Sequence, residues 1–208
     1  MNHEYSVLGG INRARIGQVI AIIAATVSSI VVALVLAAFD VARSLGLGEH
    51  VPPVLLPPIG AGVAFTLLYW LFDRYIWKLP WIASALGVPH LAGRWRCEGQ
   101  TINPDKSKGY EWLAQITVVQ SWDKIRVNLK THQSASNSCT AALLRDDAEG
   151  FRLFYSYRNE PKADQPELQS HRGYAELVFQ PDLKTAEGEY FNGLGRFTFG
   201  TMKLTKEA

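Results

Sequence analysis

The chain has 208 residues, 21 Lys+Arg against 19 Asp+Glu for a formal net charge of +2, and two cysteines, Cys97 and Cys139. Residues 92–208 hold 16 basic and 15 acidic residues; that balance leaves no basic stripe to displace counterions and excludes long nucleic acid as a partner. The cysteines lack metal-ligand spacing and are expected as free thiols, and no metal or cofactor is expected.

Residues 1–15 form a short N-terminal segment, expected in the cytoplasm. From Ile16 to Phe39 the sequence runs 24 residues without a charge, enough to cross a hydrocarbon core of about 30 Å. A signal peptide has an apolar region of only about 7–15 residues, and here a second apolar stretch follows. The loop at 40–50 holds Arg43 as its only basic residue. The second span is read at 51–77, with Pro52, Pro53, Pro57 and Pro58 at its start, where a helix tolerates proline. This helix is expected to begin near Pro58 and end near Trp77, with Tyr69, Trp70, Tyr75 and Trp77 at the lipid–water interface. Arg13 and Arg15 precede the first span, and Arg74, Lys78, Arg94 and Arg96 follow the second. The positive-inside rule therefore puts both termini in the cytoplasm and the 40–50 loop in the periplasm. Small residues recur at spacing four in Ala21/Ala25, Ser29/Ala33, Ala33/Ala37 and Gly60/Ala64. They let helices approach closely in lipid, either within the hairpin or between protomers.

Residues 78–90 read as a linker, after which the hydrophobic period changes to two. Ile125, Val127, Leu129 and Thr131 alternate with Lys124, Arg126, Asn128 and Lys130, a half-buried strand. Similar runs lie at 91–101, 110–120, 134–145, 150–159, 171–180, 185–192 and 194–204. Turn signals separate them, Asn192-Gly193 the clearest. Eight sequential strands with short connections predict an all-β domain over 91–208, an eight-stranded antiparallel up-and-down barrel whose closure removes exposed edges.

Alternation then assigns the interior. Trp95 and Cys97, Leu153, Tyr155, Tyr157 and Asn159, His171, Gly173, Leu177 and Phe179, Tyr190 and Asn192, and Arg196, Thr198, Met202 and Leu204 point inward. In a meander, the ends of odd strands and the starts of even strands share one rim. Thr131, Tyr157, Asn159, His171, Tyr190, Asn192, Arg196 and Thr198 therefore converge on one polar mouth. Trp95, Leu153, Leu177, Phe179, Met202 and Leu204 fill the other end. An inward Arg196 needs a partner, which leaves two readings. It pairs with a carboxylate such as Glu189 or Glu160, or it meets a ligand phosphate with two parallel hydrogen bonds. Tyrosine and histidine rings offer stacking faces to bases, and asparagine offers donors and acceptors to a base edge. No nucleophile–base order, paired inward carboxylates or phosphate loop points to an enzyme. A membrane-tethered lipid- or fatty-acid-binding barrel, or a non-enzymatic adaptor, are the alternatives to a nucleotide site.

Gly93-Arg94-Trp95, Tyr157-Arg158-Asn159-Glu160-Pro161, His171-Arg172-Gly173, Gly188-Glu189-Tyr190 and Gly195-Arg196-Phe197-Thr198 follow the two-helix anchor in order. In this the chain resembles the two-transmembrane, β-strand-rich effectors of bacterial CBASS anti-phage signalling. The resemblance implies that a cognate cyclase makes a cyclic dinucleotide, which the barrel binds. Protomers then form a homo-oligomer, the clustered helices disrupt the inner membrane, and the infected cell dies before phage mature.

Overall fold

The computed structural model describes residues 2–45, 56–146, 150–193 and 196–207. The chain forms two units, Ile11–Trp77 and Met1–Gly10 with Lys78–Ala208.

The first unit is helical. Asn12 Oδ1 accepts the Ala14 N–H at 2.8 Å and so caps α1 (Arg13–Ser44), supplying an orphan donor with a partner. The helix outruns the predicted 16–39 at both ends, because nothing near Arg13 or Asp40 breaks it. α2 (Leu56–Arg74) follows, and the predicted loop falls, from residue 46, outside the described residues. Two spans were expected. Among the described residues, one helix, Arg13–Val41, is long and apolar enough to cross a membrane by length and composition. The start of the second expected span, 51–55, lies outside the described residues. Ile20, Ala24 and Ser28 are the buried positions of α1, one ridge at spacing four. A Cβ on Gly60 would come within 2.7 Å of Ser28 Oγ, so this glycine serves close packing inside the hairpin. Ala64 is half-buried, whereas Ala21, Ala25, Ser29, Ala33 and Ala37 are exposed along α1.

The second unit opens its main run with a short helix, α3 (Pro80–Leu86), where a linker was expected. Pro80 stands in its first turn and a left-handed Gly87 ends it. Eight strands follow: β2 (Gly93–Ile102), β3 (Lys108–Gln120), β4 (Lys124–Lys130), β5 (Ser134–Asp146), β6 (Gly150–Pro161), β7 (His171–Phe179), β8 (Thr185–Asn192) and β9 (Phe199–Lys206). Each pairs antiparallel with its sequence neighbour, β9 pairs with β2, and the sheet closes as a barrel. Leu91, Trp95, Cys97, Ile116, Leu153, Leu177, Phe179 and Leu204 are buried within it. Both cysteines are free, and burial pushes the Cys97 thiol up to about 12.

Two features differ from the eight-strand prediction. Among the described residues the sheet has nine strands, because β1 (His3–Leu8) enters it from the N-terminal segment. It lies antiparallel to β4 and parallel to β5. Its partners are more than a hundred residues away, so no local pattern announces it. The last strand begins at Phe199 rather than at 194. Asn192 N–H donates to Thr198 O at 2.7 Å, so Arg196, Phe197 and Thr198 stand outside the strand.

Candidate functional site

At one end of the barrel the interior opens into a cavity of about 1030 Å³, at the upper end of the range of roughly 300–1,000 Å³ typical of ligand pockets. All eight residues assigned to the mouth line it: Thr131, Tyr157, Asn159, His171, Tyr190, Asn192, Arg196 and Thr198. They come from strand ends and turns that the closed meander gathers on one rim. The sequence rule placed them together because both inputs, strand order and alternation, were local.

Three hydrogen-bonded groups build the wall. Tyr190 OH accepts from Trp112 Nε1 at 3.2 Å and lies 3.0 Å from Thr101 Oγ1. The Trp112 and Tyr190 rings meet edge to face at 5.6 Å, a favoured aromatic geometry. Tyr157 OH donates to Asn192 Oδ1 at 2.8 Å, and Asn192 Nδ2 donates to Thr198 Oγ1 at 2.8 Å. Asn159 Nδ2 donates to Ser134 Oγ at 3.1 Å, in the tight turn where Thr131 Oγ1 accepts the Gln133 and Ser134 N–H groups.

Glycines seat two of these aromatic rings. A Cβ on Gly99 would lie 2.1 Å from Trp112 Cε2, and one on Gly173 would lie 2.4 Å from Tyr157 OH. Both distances are far inside van der Waals contact, so each ring lies flat over a position that only glycine can occupy. Beneath them, Tyr155 and Cys97 are buried and begin the apolar floor.

Arg196 departs from its predicted place. It is exposed and outside any strand, yet it still lines the cavity. Of the two carboxylates considered for it, Glu160 pairs with Arg158 at 3.2 Å. Among the described residues no ion pair to Arg196 is formed. Its charge acts instead on its neighbours. Burial lowers the His171 pKa below the ordinary histidine value, Arg196 adds to that, and bonds to the Gln169 carbonyl and Asn192 oppose it. Burial, with Tyr190 alongside, raises the Tyr157 pKa against the pull of Arg196. Tyr157 therefore remains a protonated donor and His171 a neutral ring at neutral pH, beside a free cation.

The sequence reading missed Trp112, Thr101, Lys108, Ser134 and Ser136, which also line the cavity. The signal for Trp112 was present. Counting back by twos from Ile116 along the predicted strand at 110–120 gives Ala114, Trp112 and Tyr110 on the inner face, at the start of an even strand. Such a wall of rings, hydroxyls and amides around an unpaired guanidinium suits a ligand with flat rings and anionic oxygens.

Comparison with known proteins agrees with this geometry. Residues 86–206 match the family model described as Cap15, cyclic dinucleotide receptor domain. Residues 14–78 match the one described as Cap15, TM helices. The chain is 42% identical over 205 residues to CD-NTase-associated protein 15 of Yersinia aleksiciae, covering 99% of this chain and 97% of that protein.

Proposed function

The chain belongs to the Cap15 family, whose members join transmembrane helices to a cyclic dinucleotide receptor domain, and from that premise we propose that the barrel mouth binds a cyclic dinucleotide and that binding drives the helices to disrupt the bacterial inner membrane. The observation that carries the reading is the convergence of eight polar and aromatic residues on one cavity beside an Arg196 without a carboxylate. Arg196 and Lys108 engage the phosphates. Trp112, Tyr157 and Tyr190 stack on the bases, and Asn159, Asn192, Thr131 and Thr198 read their edges, with His171 beside the phosphate arm. These groups bind and orient; they supply no chemistry. The amides, hydroxyls and Arg196 of the rim favour a ligand that carries anionic oxygens and base edges over a fatty acid, whose chain would leave them without partners.

The same chain gives the membrane half of the proposal. β1 and β2–β9 belong to one sheet, so the segment between them leaves one side of a bilayer and returns to it. That supports two crossings with both termini on the cytoplasmic side, as the basic residues also require. Gly60 is committed to packing within the hairpin. Self-assembly then uses the exposed ladder Ala21, Ala25, Ser29, Ala33 and Ala37 of α1, a face along which backbones in lipid approach closely. The ligand is made by a cognate cyclase, and the outcome is death of the infected cell before phage mature.

The test is calorimetric titration of the full chain in detergent micelles with cyclic dinucleotides of differing base composition. One of them binds tightly, and Arg196→Glu loses it. Binding of none, followed by binding of a fatty acid, would replace this reading with a lipid-carrying barrel.

A further inference from the structure

The barrel has one irregular seam. β4 and β5 pair directly at Asn128↔Asn137, Leu129↔Ser136 and Lys130↔Ala135, at the mouth end. Toward the floor they part, and β1 fills the gap. His3 and Glu4 pair with Ile125 and Lys124, and Tyr5 to Leu8 pair with Ala141 to Leu144. Ser138 fastens the point of divergence. Its Oγ accepts the Val127 N–H at 2.9 Å and lies 2.7 Å from His3 Nε2.

β1 is held lightly. Of its six residues only Tyr5 is buried. Its hydroxyl lies 3.3 Å from both Gln120 Nε2 and Ser121 O. Without β1, the facing backbone groups of β4 and β5 can bond each other. The Val127 N–H already reaches the side chain of β5, one residue past the last direct pair. Continued in the same register, Val127 to Lys124 meet Ser138 to Ala141, so the β4 edge keeps partners in either arrangement, while Ala142 to Leu144, beyond the start of β4, turn to water. The direct pairs lie under the cavity, since Ser134 and Ser136 of β5 and Leu129 and Thr131 beside them line it. Ser134, Ser136 and Ser138 succeed one another on the inner face from the rim down to His3.

The tether gives this seam its consequence. Gly9–Asn12 alone join β1 to α1. The chain leaves the barrel at Gly10 beside Gly87, where it returns; a Cβ on Gly87 would lie 3.9 Å from Gly10 Cα. Four linking residues reach roughly 14 Å, so β1 in the seam limits how far the start of α1 can move, and release of β1 removes that limit.

We propose that β1 is a displaceable strand: a ligand in the mouth favours an extended β4–β5 ladder, β1 leaves the seam, and α1, freed from its short tether, rearranges. This rests on the receptor reading above. A ligand shifts such an equilibrium only by its differential affinity for the two arrangements, and its contacts with the 131–136 hairpin supply that difference.

Glu4 and Lys124 are directly opposed and exposed, so Glu4→Cys with Lys124→Cys forms a removable lock, in full-length protein carrying Cys139→Ser. In dye-filled liposomes of phosphatidylethanolamine and phosphatidylglycerol, the oxidised protein binds the dinucleotide more weakly and, even at saturating dinucleotide, loses ligand-triggered leakage, and reductant restores both. Leakage from the oxidised protein equal to that of the reduced protein overturns the proposal. A second readout needs no membrane rupture. The dinucleotide slows closure of the engineered disulfide under mild oxidation, and an unchanged rate also overturns the proposal. Failure of the unlocked protein to bind any dinucleotide would instead overturn the receptor reading.

Discussion

The two ends of the barrel are built from the same strands and the same alternation, yet they do different work. At the floor, Trp95 is fully buried, meets the Phe179 ring edge to face at 5.2 Å and donates from Nε1 to Leu91 O at 3.1 Å. Lys206 Nζ covers its outer face at 5.2 Å, and burial lowers the pKa of that lysine. At the mouth, the inward positions are tyrosine, asparagine, threonine and histidine. Their hydrogen bonds run along the wall and leave the centre open. The floor uses its residues for packing and the mouth uses them for a shaped polar surface. A closed barrel thus separates stability from recognition along its own axis.

Substitutions at the two ends should separate in the same way. Trp95→Ala is the largest perturbation. It should cost about 3–5 kcal/mol of stability, seen as a lower thermal midpoint in detergent, while dinucleotide affinity at temperatures where the barrel stays folded is unchanged. Affinity falling in step with stability would mean that the ends are coupled. Arg196→Glu should do the reverse. Loss of its charged hydrogen bonds alone removes about 1.5–3 kcal/mol of binding, with the thermal midpoint retained, because Arg196 is exposed in a loop.

Trp112→Ala sharpens the comparison, since this ring both packs over Gly99 and faces the cavity. It should weaken binding by about 1–3 kcal/mol through lost stacking. Trp112→Phe, which keeps a stacking face and loses only the bond to Tyr190, should weaken it less by calorimetry.

The smallest effect concerns pH. His171 has a lowered pKa in the folded free protein, so its neutral form contributes stability above its unfolded value. That contribution is lost as pH falls below about 6.5. A phosphate beside the ring reverses the preference. Affinity should therefore rise as pH falls through that region, and His171→Asn should flatten the profile. A flat wild-type profile would place the phosphates away from His171.

The eight strands of the main sheet, the inner faces of those at 91–101, 150–159, 171–180 and 185–192, and the rim they share were legible in the sequence. A two-residue period and the turn residues between strands are local properties of the chain. The same local rule reaches Trp112 when it is carried to the start of its strand. The exposed position of Arg196 was not legible, because it depends on the bonds between Asn192 and Thr198 that hold it outside the strand. The apolar character of the first span was likewise set by composition. The role of Gly60 depended on which residue of the other helix it meets, and that is Ser28. β1 marks the boundary most clearly. His3–Leu8 becomes a strand only because β4 and β5 diverge below residue 128 and present unpaired edges to it. Local periodicity determines which face of a strand is buried; pairing across more than a hundred residues depends on shapes that exist only after the sheet has closed.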